Sequence, residues 1–313
     1  MKLNTLKLTY FKNYEGLQAS FGAGINCLVG KNGMGKTNLL DAMYYLSMTR
    51  SALSGVDAGN IQYNQPYFAI NGLFTREGED LKVDCYFEQG KKKVLKVAGK
   101  ELEKLSNHIG AIPSVMILPD DTAMIKEGSE IRRKFFDSVI AQQDSSYMES
   151  LMEMHRLLKQ RNSFLKVNDG RLNIDQKLLE VYDESLFPLF QKIALARGQF
   201  IEDFEPYFQE NYRLIFDGEE APKVHYKSSV LDENFKTDYQ KAIQKDIILQ
   251  RTTLGAHRDD YVFGLNDRSI KKSGSQGQQK SFIIALKLAE YDFLKYKPPV
   301  LYISDRIHGS FAD

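Results

Sequence analysis

The sequence has 313 residues, of which 42% are hydrophobic and 27% charged, and its formal net charge is +1. These values are typical of a globular protein, and the near-zero charge means that any affinity for nucleic acid must come from local patches. No run of about 18 apolar residues is present, which argues against a membrane span. Two cysteines, Cys27 and Cys85, predict reduced thiols in a cytoplasmic protein rather than a disulfide framework.

The first elements in chain order predict a hairpin and then a buried strand. Residues 1–21 carry apolar residues that lead to the turn residue Gly16, as expected for a β-hairpin. Residues 25–29 read Ile-Asn-Cys-Leu-Val, a short apolar run that predicts a buried strand.

The next eight residues match the pattern G-x-x-x-x-G-K-[ST] of a phosphate-binding P-loop. The glycines let the backbone turn tightly, so that several N–H groups and the N-terminus of the following helix converge on the α and β phosphates. Lys36 can reach the β and γ phosphates, and the Thr37 hydroxyl can hold Mg²⁺. A chance match in a surface turn is the alternative, but strand, loop and helix follow one another as the motif requires. The predicted ATP-binding residues are Gly30, Lys31, Asn32, Gly33, Met34, Gly35, Lys36 and Thr37.

Three further segments, residues 67–74, 81–88 and 94–97, predict antiparallel strands separated by turns. Lysines make this sheet locally basic, and the candidates for contact with DNA here are Lys91, Lys92 and Lys93. These lysines either keep an edge strand soluble or contact a phosphate backbone.

From residue 129 to about residue 212, apolar residues recur at helical spacing. The pattern predicts an inserted helical lobe, an antiparallel helical hairpin too short and irregular for a long coiled-coil arm. Lys159, Arg161 and Lys166 cluster in this lobe. A solvated helix face is the simpler explanation for them, and contact with DNA is the alternative.

A polar loop near the C-terminus, Ser275, Gln276, Gly277 and Gln278, lies immediately before a strong helical pattern at residues 281–294. A short apolar run at residues 300–303 then predicts a buried strand, which Asp305 follows. Loop, helix, strand and acid in this order are the layout of an ABC-type ATPase. In that layout the loop is the signature loop, which closes over the γ-phosphate held by the P-loop of a second subunit.

Several motifs between residue 1 and about residue 300 resemble those of the RecF family, which is related to the ATPase heads of SMC proteins. They are Phe-Lys-Asn-Tyr at 11–14, the P-loop, Pro-Asp at 119–120, Arg-Arg at 132–133, Gln-Arg-Asn at 160–162, Gly-Ala-His-Arg-Asp-Asp at 255–260 and Ser-Gln-Gly-Gln-Gln at 275–279. Glu127, Ser129 and Ala256 depart from the family pattern at positions where we expect substitution to be tolerated.

The resemblance implies an α/β fold, an ABC-type ATPase head with an inserted helical lobe. Head halves are expected at residues 1–128 and 246–313, with the lobe at 129–245. The family implies a cytoplasmic, ATP- and Mg²⁺-dependent homodimer that holds single-stranded, gapped and double-stranded DNA during replication and recombinational repair. It also implies RecR and RecO as partners, help in loading recombinase, and a part in the SOS response.

The C-terminal sequence departs further from the family. The family strand runs into two adjacent acids, whereas this chain has Ser304, Asp305 and Arg306. Asp305 is therefore the single catalytic candidate, because it is the one carboxylate available for Mg²⁺ binding or for orienting water. The family's following loop and final strands are also missing before residue 313, which predicts a truncated copy that binds ATP but hydrolyses it poorly.

Other functional classes fit less well. A P-loop kinase needs an acceptor pocket and has no use for the loop at 275–279, and a transporter ATPase subunit would lack the motifs at 132–133 and 257–260. The remaining alternative is a protein that binds nucleotide without hydrolysing it, which residues 304–306 favour.

Overall fold

The computed structural model describes residues 1–167, 175–216, 218–295 and 301–304. The fold is α/β, and the chain divides into two compact units. The first contains Met1–Asp121 together with the chain from Glu290, and the second contains Thr122–Ala289. Among the described residues, no helix is both long and apolar enough to cross a bilayer.

The first unit is built on a six-stranded antiparallel sheet with the order β2-β1-β3-β4-β5-β6. Its strands include the predicted hairpin and all three predicted antiparallel strands, so these predictions are confirmed. The hairpin turns at Lys12 and Asn13, however, and Gly16, the predicted turn residue, lies within the second strand and pairs with Thr9. Buried and exposed side chains alternate along β3, as expected for a sheet with one face in the core. The strands are β1 (Lys2–Phe11), β2 (Tyr14–Ser20), β3 (Tyr67–Arg76), β4 (Glu79–Glu88), β5 (Val94–Val97) and β6 (Lys100–Glu101).

Helix α1 (Lys36–Met48) packs on the buried face of this sheet. The helix approaches β3 closely at Gly72, where an added Cβ atom would lie 2.5 Å from Leu46 Cδ1, so a larger residue would require that side chain to move. On another side of the core, β7 (Ser114–Ile117) pairs in parallel with β11 (Leu301–Ser304), which confirms a strand in the predicted run before Asp305. These contacts fix the helix whose N-terminus follows the P-loop.

The strand predicted at residues 25–29 is wrong, because this segment has no regular secondary structure. Ile25 and Val29 are 94% and 93% exposed, and no described strand pairs with the segment. Asn26 instead makes local hydrogen bonds: its Oδ1 accepts from the Gly22 N–H at 2.8 Å, and its Nδ2 donates to the carbonyls of Gly22 and Gly24 at 3.2 Å. Such bonds compete with a strand ladder, and apolar character alone supplies no ladder partner.

The second unit consists mainly of helices with a small antiparallel sheet of order β10-β9-β8. The described residues between 129 and 212 are helical except for Asp144 and Asp175, which confirms that part of the prediction. Asp169 and Gly170 predict a turn between two helices of the lobe, and this turn lies outside the described residues. The elements are α2 (Ala123–Lys126), α3 (Ser129–Gln143), α4 (Ser145–Val167), α5 (Gln176–Ile215), β8 (Pro222–Lys227), α6 (Phe235–Leu249), β9 (Asp260–Leu265), β10 (Arg268–Ser269), α7 (Ile270–Ser273) and α8 (Gln276–Lys295).

Helix α5 is the longest element, with 40 residues. It begins at the N-cap Asp175, whose carboxylate accepts a hydrogen bond from the Leu178 N–H at 3.2 Å. Two prolines, Pro188 and Pro206, lie inside the helix, and each lacks the N–H that would continue the ladder.

The compact units do not coincide with the boundaries expected from the sequence. Residues 246–289, expected in the ATPase head, pack in the second unit; Phe282 of α8, for example, contacts Phe208 of α5 with ring centroids 4.8 Å apart. The residue boundaries between head and lobe therefore remain a prediction.

Arg197 of α5 lies in the interior of the second unit and is 1% exposed. Its guanidinium donates to both carboxylate oxygens of Asp137 at 2.9 Å and to Asp259 Oδ2 at 2.9 Å. The Ala256 carbonyl accepts a further bond at 2.6 Å. Burial opposes the charge, but the Asp137 carboxylate raises the pKa of Arg197 well above its usual value. The buried cation is thus fully compensated.

We predict that Arg197→Met destabilises the protein by about 3–5 kcal/mol, because it leaves two buried carboxylates without their counter-charge. The measurement is the free energy of unfolding in urea at pH 7. Arg156→Met is the matched control, since Arg156 is exposed and pairs with Glu153 on the surface. Equal stability of the two variants would contradict the central role of Arg197.

Candidate nucleotide-binding loop and signature loop

The P-loop has the tight backbone that its glycines allow. Gly33 and Gly35 have φ values of 81° and 96°, which favour glycine. At Gly35 a side chain is also excluded by contact, because a Cβ atom would lie 2.4 Å from Asn13 Nδ2. Gly35 is the N-cap of α1 and has no side chain to cap the first-turn N–H groups. A phosphate could accept hydrogen bonds from them instead.

Lys36 and Thr37 begin the helix, as the motif requires. The Lys36 ammonium donates to the Gly30 carbonyl at 2.7 Å and to the Lys31 carbonyl at 2.8 Å, so it lies against the loop that it follows. Thr37 is half-buried in the first turn of α1. The loop therefore offers the kinds of donor that a nucleotide site needs, namely backbone N–H groups, a helix N-terminus, an ammonium and a hydroxyl.

The turn of the β1–β2 hairpin braces this loop. The Tyr14 hydroxyl donates to the Gly35 carbonyl at 3.0 Å, and Asn13 Nδ2 contacts the Met34 carbonyl at 3.4 Å. Asn38 of α1 donates to Asn13 Oδ1 at 2.7 Å. Asn13 and Tyr14 were not predicted as site residues, although their position in the Phe-Lys-Asn-Tyr motif could have indicated them.

Lys12 connects the same turn to the interior of the unit. Its ammonium lies 2.6 Å from Asp41 Oδ2, and Asp41 is completely buried on α1. Asp41 also accepts hydrogen bonds from the Ser51 hydroxyl at 2.6 Å and from the Ala52 N–H at 2.7 Å. One carboxylate thereby joins the hairpin turn, the P-loop helix and the segment that follows it.

The signature loop forms a capping box at the start of α8. The Ser275 N–H donates to Gln278 Oε1 at 2.7 Å, and the Gln278 N–H donates to the Ser275 hydroxyl at 3.2 Å. Ser275, Gln276 and Gly277 are exposed, whereas Gln278 is half-buried. The loop thus presents a hydroxyl and a helix N-terminus to solvent, which together suit an anionic partner.

Two family motifs meet each other and form a framework within the second unit. Arg132 makes a bidentate ion pair with Asp260, at 2.8 and 3.1 Å. Arg133 donates to the Asp259 carbonyl at 2.6 Å. The motif at 132–133 therefore fixes the segment that leads into β9.

Two of the predicted DNA contacts are internal in this fold, and the prediction is corrected for them. Arg161 is 0% exposed and donates to Asp183 and Asp246, both at 2.8 Å, and to Thr252 at 2.9 Å. The Lys93 ammonium bonds to Asp57 at 2.8 Å, to the Thr49 carbonyl at 2.6 Å and to the Tyr45 hydroxyl at 3.0 Å. A cation that compensates buried or half-buried acids cannot also contact a DNA phosphate.

The other predicted DNA contacts lie on the surface. Lys92, Lys159 and Lys166 are exposed. Lys91 is exposed and pairs with Glu88 at 2.8 Å. Asp305, the catalytic candidate, lies outside the described residues.

Comparison with known proteins identifies the family. The family model described as RecF/RecN/SMC N terminal domain matches residues 2–311. The chain belongs to the RecF family. A relative from Cytophaga hutchinsonii, named DNA replication and repair protein RecF, is 41% identical over 97% of this chain and 81% of its own length. A relative of the same name from Flavobacterium johnsoniae is also 41% identical, over 97% of this chain and 86% of its own.

Solved structures of this family share the fold. A structure of the recombination mediator protein RecF with ATP, from the RecFOR pathway, has a TM-score of 0.92 and 26% identity, covering 100% of this chain and 86% of its own. A second RecF structure from the same pathway, described as RecF-ATPrS, has a TM-score of 0.91 and 27% identity over 99% of this chain and 86% of its own. The predicted ABC-type ATPase head with an inserted helical lobe is therefore confirmed as the fold class.

His257, in the family motif at 255–260, is a buried histidine whose titration should make the stability of the protein depend on pH. Its ring stacks on Phe190 with centroids 6.0 Å apart, and its Nε2 lies 3.0 Å from the Thr252 carbonyl, which requires a proton on Nε2. Burial, with smaller contributions from Arg258 and Arg133, lowers the pKa of His257 to about 4, from 6.5 in a free side chain.

We predict that stability falls as the pH decreases from about 6.5 to 4, because the unfolded chain then binds a proton at His257 that the folded chain does not. The difference between the two pKa values corresponds to about 3 kcal/mol. Urea unfolding at several pH values should show a shallower pH dependence for His257→Asn, which cannot titrate. Parallel pH profiles for the two proteins would contradict the lowered pKa.

Proposed function

We propose that this chain is an ATP-dependent DNA-binding protein of replication and recombinational repair, which closes as a homodimer. The observation that carries the proposal is the P-loop, where Gly35 precedes α1 as an N-cap without a side chain and Lys36 and Thr37 begin the helix. Its support is the RecF-ATP structure, which shares this fold, and the relatives named DNA replication and repair protein RecF.

In the proposed complex, the ATP phosphates bind at the N–H groups of the loop and of the first turn of α1. Lys36 exchanges its contacts with the Gly30 and Lys31 carbonyls for the β and γ phosphates. The Thr37 hydroxyl would hold Mg²⁺, which neutralises phosphate charge.

Ser275 belongs to the nucleotide site of the other subunit in this proposal. Its hydroxyl is exposed at the N-terminus of the 20-residue helix α8, so it can approach a γ-phosphate from outside. Two sandwiched nucleotides then link the subunits, and ATP controls dimerisation.

DNA would contact exposed cations on the dimer. Lys92, Lys159 and Lys166 are available at the surface, and Lys91 could exchange its pairing with Glu88 for a phosphate. By family resemblance the clamp holds single-stranded, gapped or double-stranded DNA in the cytoplasm. It would act with RecR and RecO to load recombinase and would contribute to the SOS response.

A second candidate is the same clamp with slow or absent hydrolysis. Residues 304–306 supply one carboxylate where Mg²⁺ binding and water activation need two. If this is correct, Ser304→Asp should raise phosphate release at saturating ATP, Mg²⁺ and DNA. Equal turnover of the parent and the variant would contradict the missing-acid explanation.

Dimerisation provides the central test. Ser275→Arg should leave ATP binding by the monomer intact but prevent ATP-induced dimerisation, since the larger side chain would block the close approach of the loop to the partner's γ-phosphate. Lys36→Ala should abolish both, because the β and γ phosphates lose their ammonium. Calorimetric titration measures ATP binding, and light scattering with and without ATP measures dimerisation. Normal dimerisation of Ser275→Arg would exclude the sandwich.

DNA binding should depend on salt through the surface lysines. Lys159→Gln combined with Lys166→Gln should reduce the slope of log affinity against log salt by about 0.7–0.9 for each phosphate that these lysines neutralise in the parent. Lys134→Gln is the control, because Lys134 is an exposed helix lysine that pairs with Glu130. An unchanged slope in the double variant would show that these lysines are solvated and do not contact DNA.

A further inference from the structure

Glu220 lies between the C-terminal part of α5 and the signature loop. The Tyr212 hydroxyl donates to Glu220 Oε2, and Gln278 Nε2 donates to Glu220 Oε1. Tyr212 is 1% exposed, and its ring packs 6.4 Å from that of Phe282 on α8. Both carboxylate oxygens of Glu220 are therefore engaged, one with a buried residue and one with the signature loop.

The Gln278 amide can act in the capping box in only one of its two orientations. Its Oε1 must face Ser275 to accept the N–H at 2.7 Å. If the amide were rotated by half a turn, its NH₂ group would meet the Ser275 N–H, and two donors would oppose each other. Because the two ends of a glutamine amide have nearly the same shape, packing alone does not select the correct orientation.

An ionised carboxylate selects it, since such a group only accepts hydrogen bonds. Glu220 therefore attracts the NH₂ end of Gln278 and directs Oε1 towards Ser275. Other contacts fix the opposite side of the loop: Gln279 Nε2 donates to the Gly274 carbonyl at 3.1 Å, and the Gly274 N–H donates to the Ile270 carbonyl at 3.0 Å. Within the described second unit, Glu220 is the group that connects the Gln278 amide to α5.

We infer that Glu220 is a positioning residue for the signature loop. It fixes the orientation of the Gln278 amide and thereby places the Ser275 hydroxyl and the first turn of α8 for the nucleotide of the partner subunit. The inference rests on the proposed function for its effect on dimerisation, but its effect on the capping box does not depend on any ligand.

The variants are Glu220→Ala, which removes both acceptors, and Glu220→Gln, which keeps the size but adds a donor. The matched control is Glu219→Ala, which removes the same charge from the neighbouring, exposed residue. Hydrogen exchange of the peptide that covers residues 270–282, measured without nucleotide, reports on the capping box. Light scattering over an ATP titration reports on dimerisation, and calorimetry on nucleotide binding by the monomer.

We expect faster exchange at Ser275 and Gln278 in Glu220→Ala and roughly tenfold weaker ATP-dependent dimerisation, since the variant removes a hydrogen bond to a charged group. Nucleotide affinity of the monomer should not change. Glu220→Gln should lie between the parent and Glu220→Ala, and Glu219→Ala should match the parent. Combined with Gln278→Ala, Glu220→Ala should have little additional effect, because both changes remove the same contact.

Identical exchange and dimerisation in Glu220→Ala and Glu219→Ala would overturn the inference. So would a Glu220→Ala variant whose weaker dimerisation is accompanied by an equal loss of nucleotide affinity, because Glu220 would then act on the whole fold. If the parent protein does not dimerise with ATP, the proposed function fails, while the exchange experiment still tests Glu220.

Discussion

Arg197 places a guanidinium group in the interior of the second unit, where a charge without partners would be prohibitively costly. Its bonds join α5 to Asp137 on α3 and to Asp259 beside β9. Tyr147 of α4 and Tyr226 of β8 complete the arrangement, as their hydroxyls donate to Asp137 at 2.6 Å and to Asp259 at 2.5 Å. Helices and strands that are distant in sequence are thus held together by hydrogen bonds to the Arg197 guanidinium or to its two carboxylate partners. A shift of one element would leave part of this buried ion pair without a partner.

Family motifs of the second unit take part in ion pairs and hydrogen bonds of the same kind. The Arg-Arg and Gly-Ala-His-Arg-Asp-Asp motifs contact each other, and the Gln-Arg-Asn motif places Arg161 among Asp183, Asp246 and Thr252. Gly255 allows the same segment to approach Phe190, since a Cβ atom there would lie 2.5 Å from the ring. The charged residues of these motifs therefore form a structural framework within the second unit.

Much of the fold could be predicted from the sequence, because the spacing of apolar residues along a strand or helix shows which side chains are buried. The same spacing could have shown that two of the proposed DNA contacts, Arg161 and Lys93, are not on the surface. Arg161 follows Leu158 by three residues and precedes Leu165 by four, which places it on the buried face of α4, and Lys93 is two residues before the buried Leu95. The bracing of the P-loop by Asn13 and Tyr14 could not be read from periodicity, because these contacts join residues 21 positions apart. The strand prediction at residues 25–29 was wrong because an apolar run forms a strand only if another strand pairs with it.

Pro206 interrupts the hydrogen-bond ladder of the long helix α5. The missing N–H removes one rung of the helical ladder at this point, and an interrupted ladder bends at lower energy than a continuous one. Beyond the proline, α5 carries Phe208 and Tyr212, which pack against Phe282 near the start of α8. Packing, rather than a continuous ladder, therefore holds the last turns of α5, because Phe208 and Tyr212 are 0% and 1% exposed. The position of this end of the helix depends on the core of the second unit.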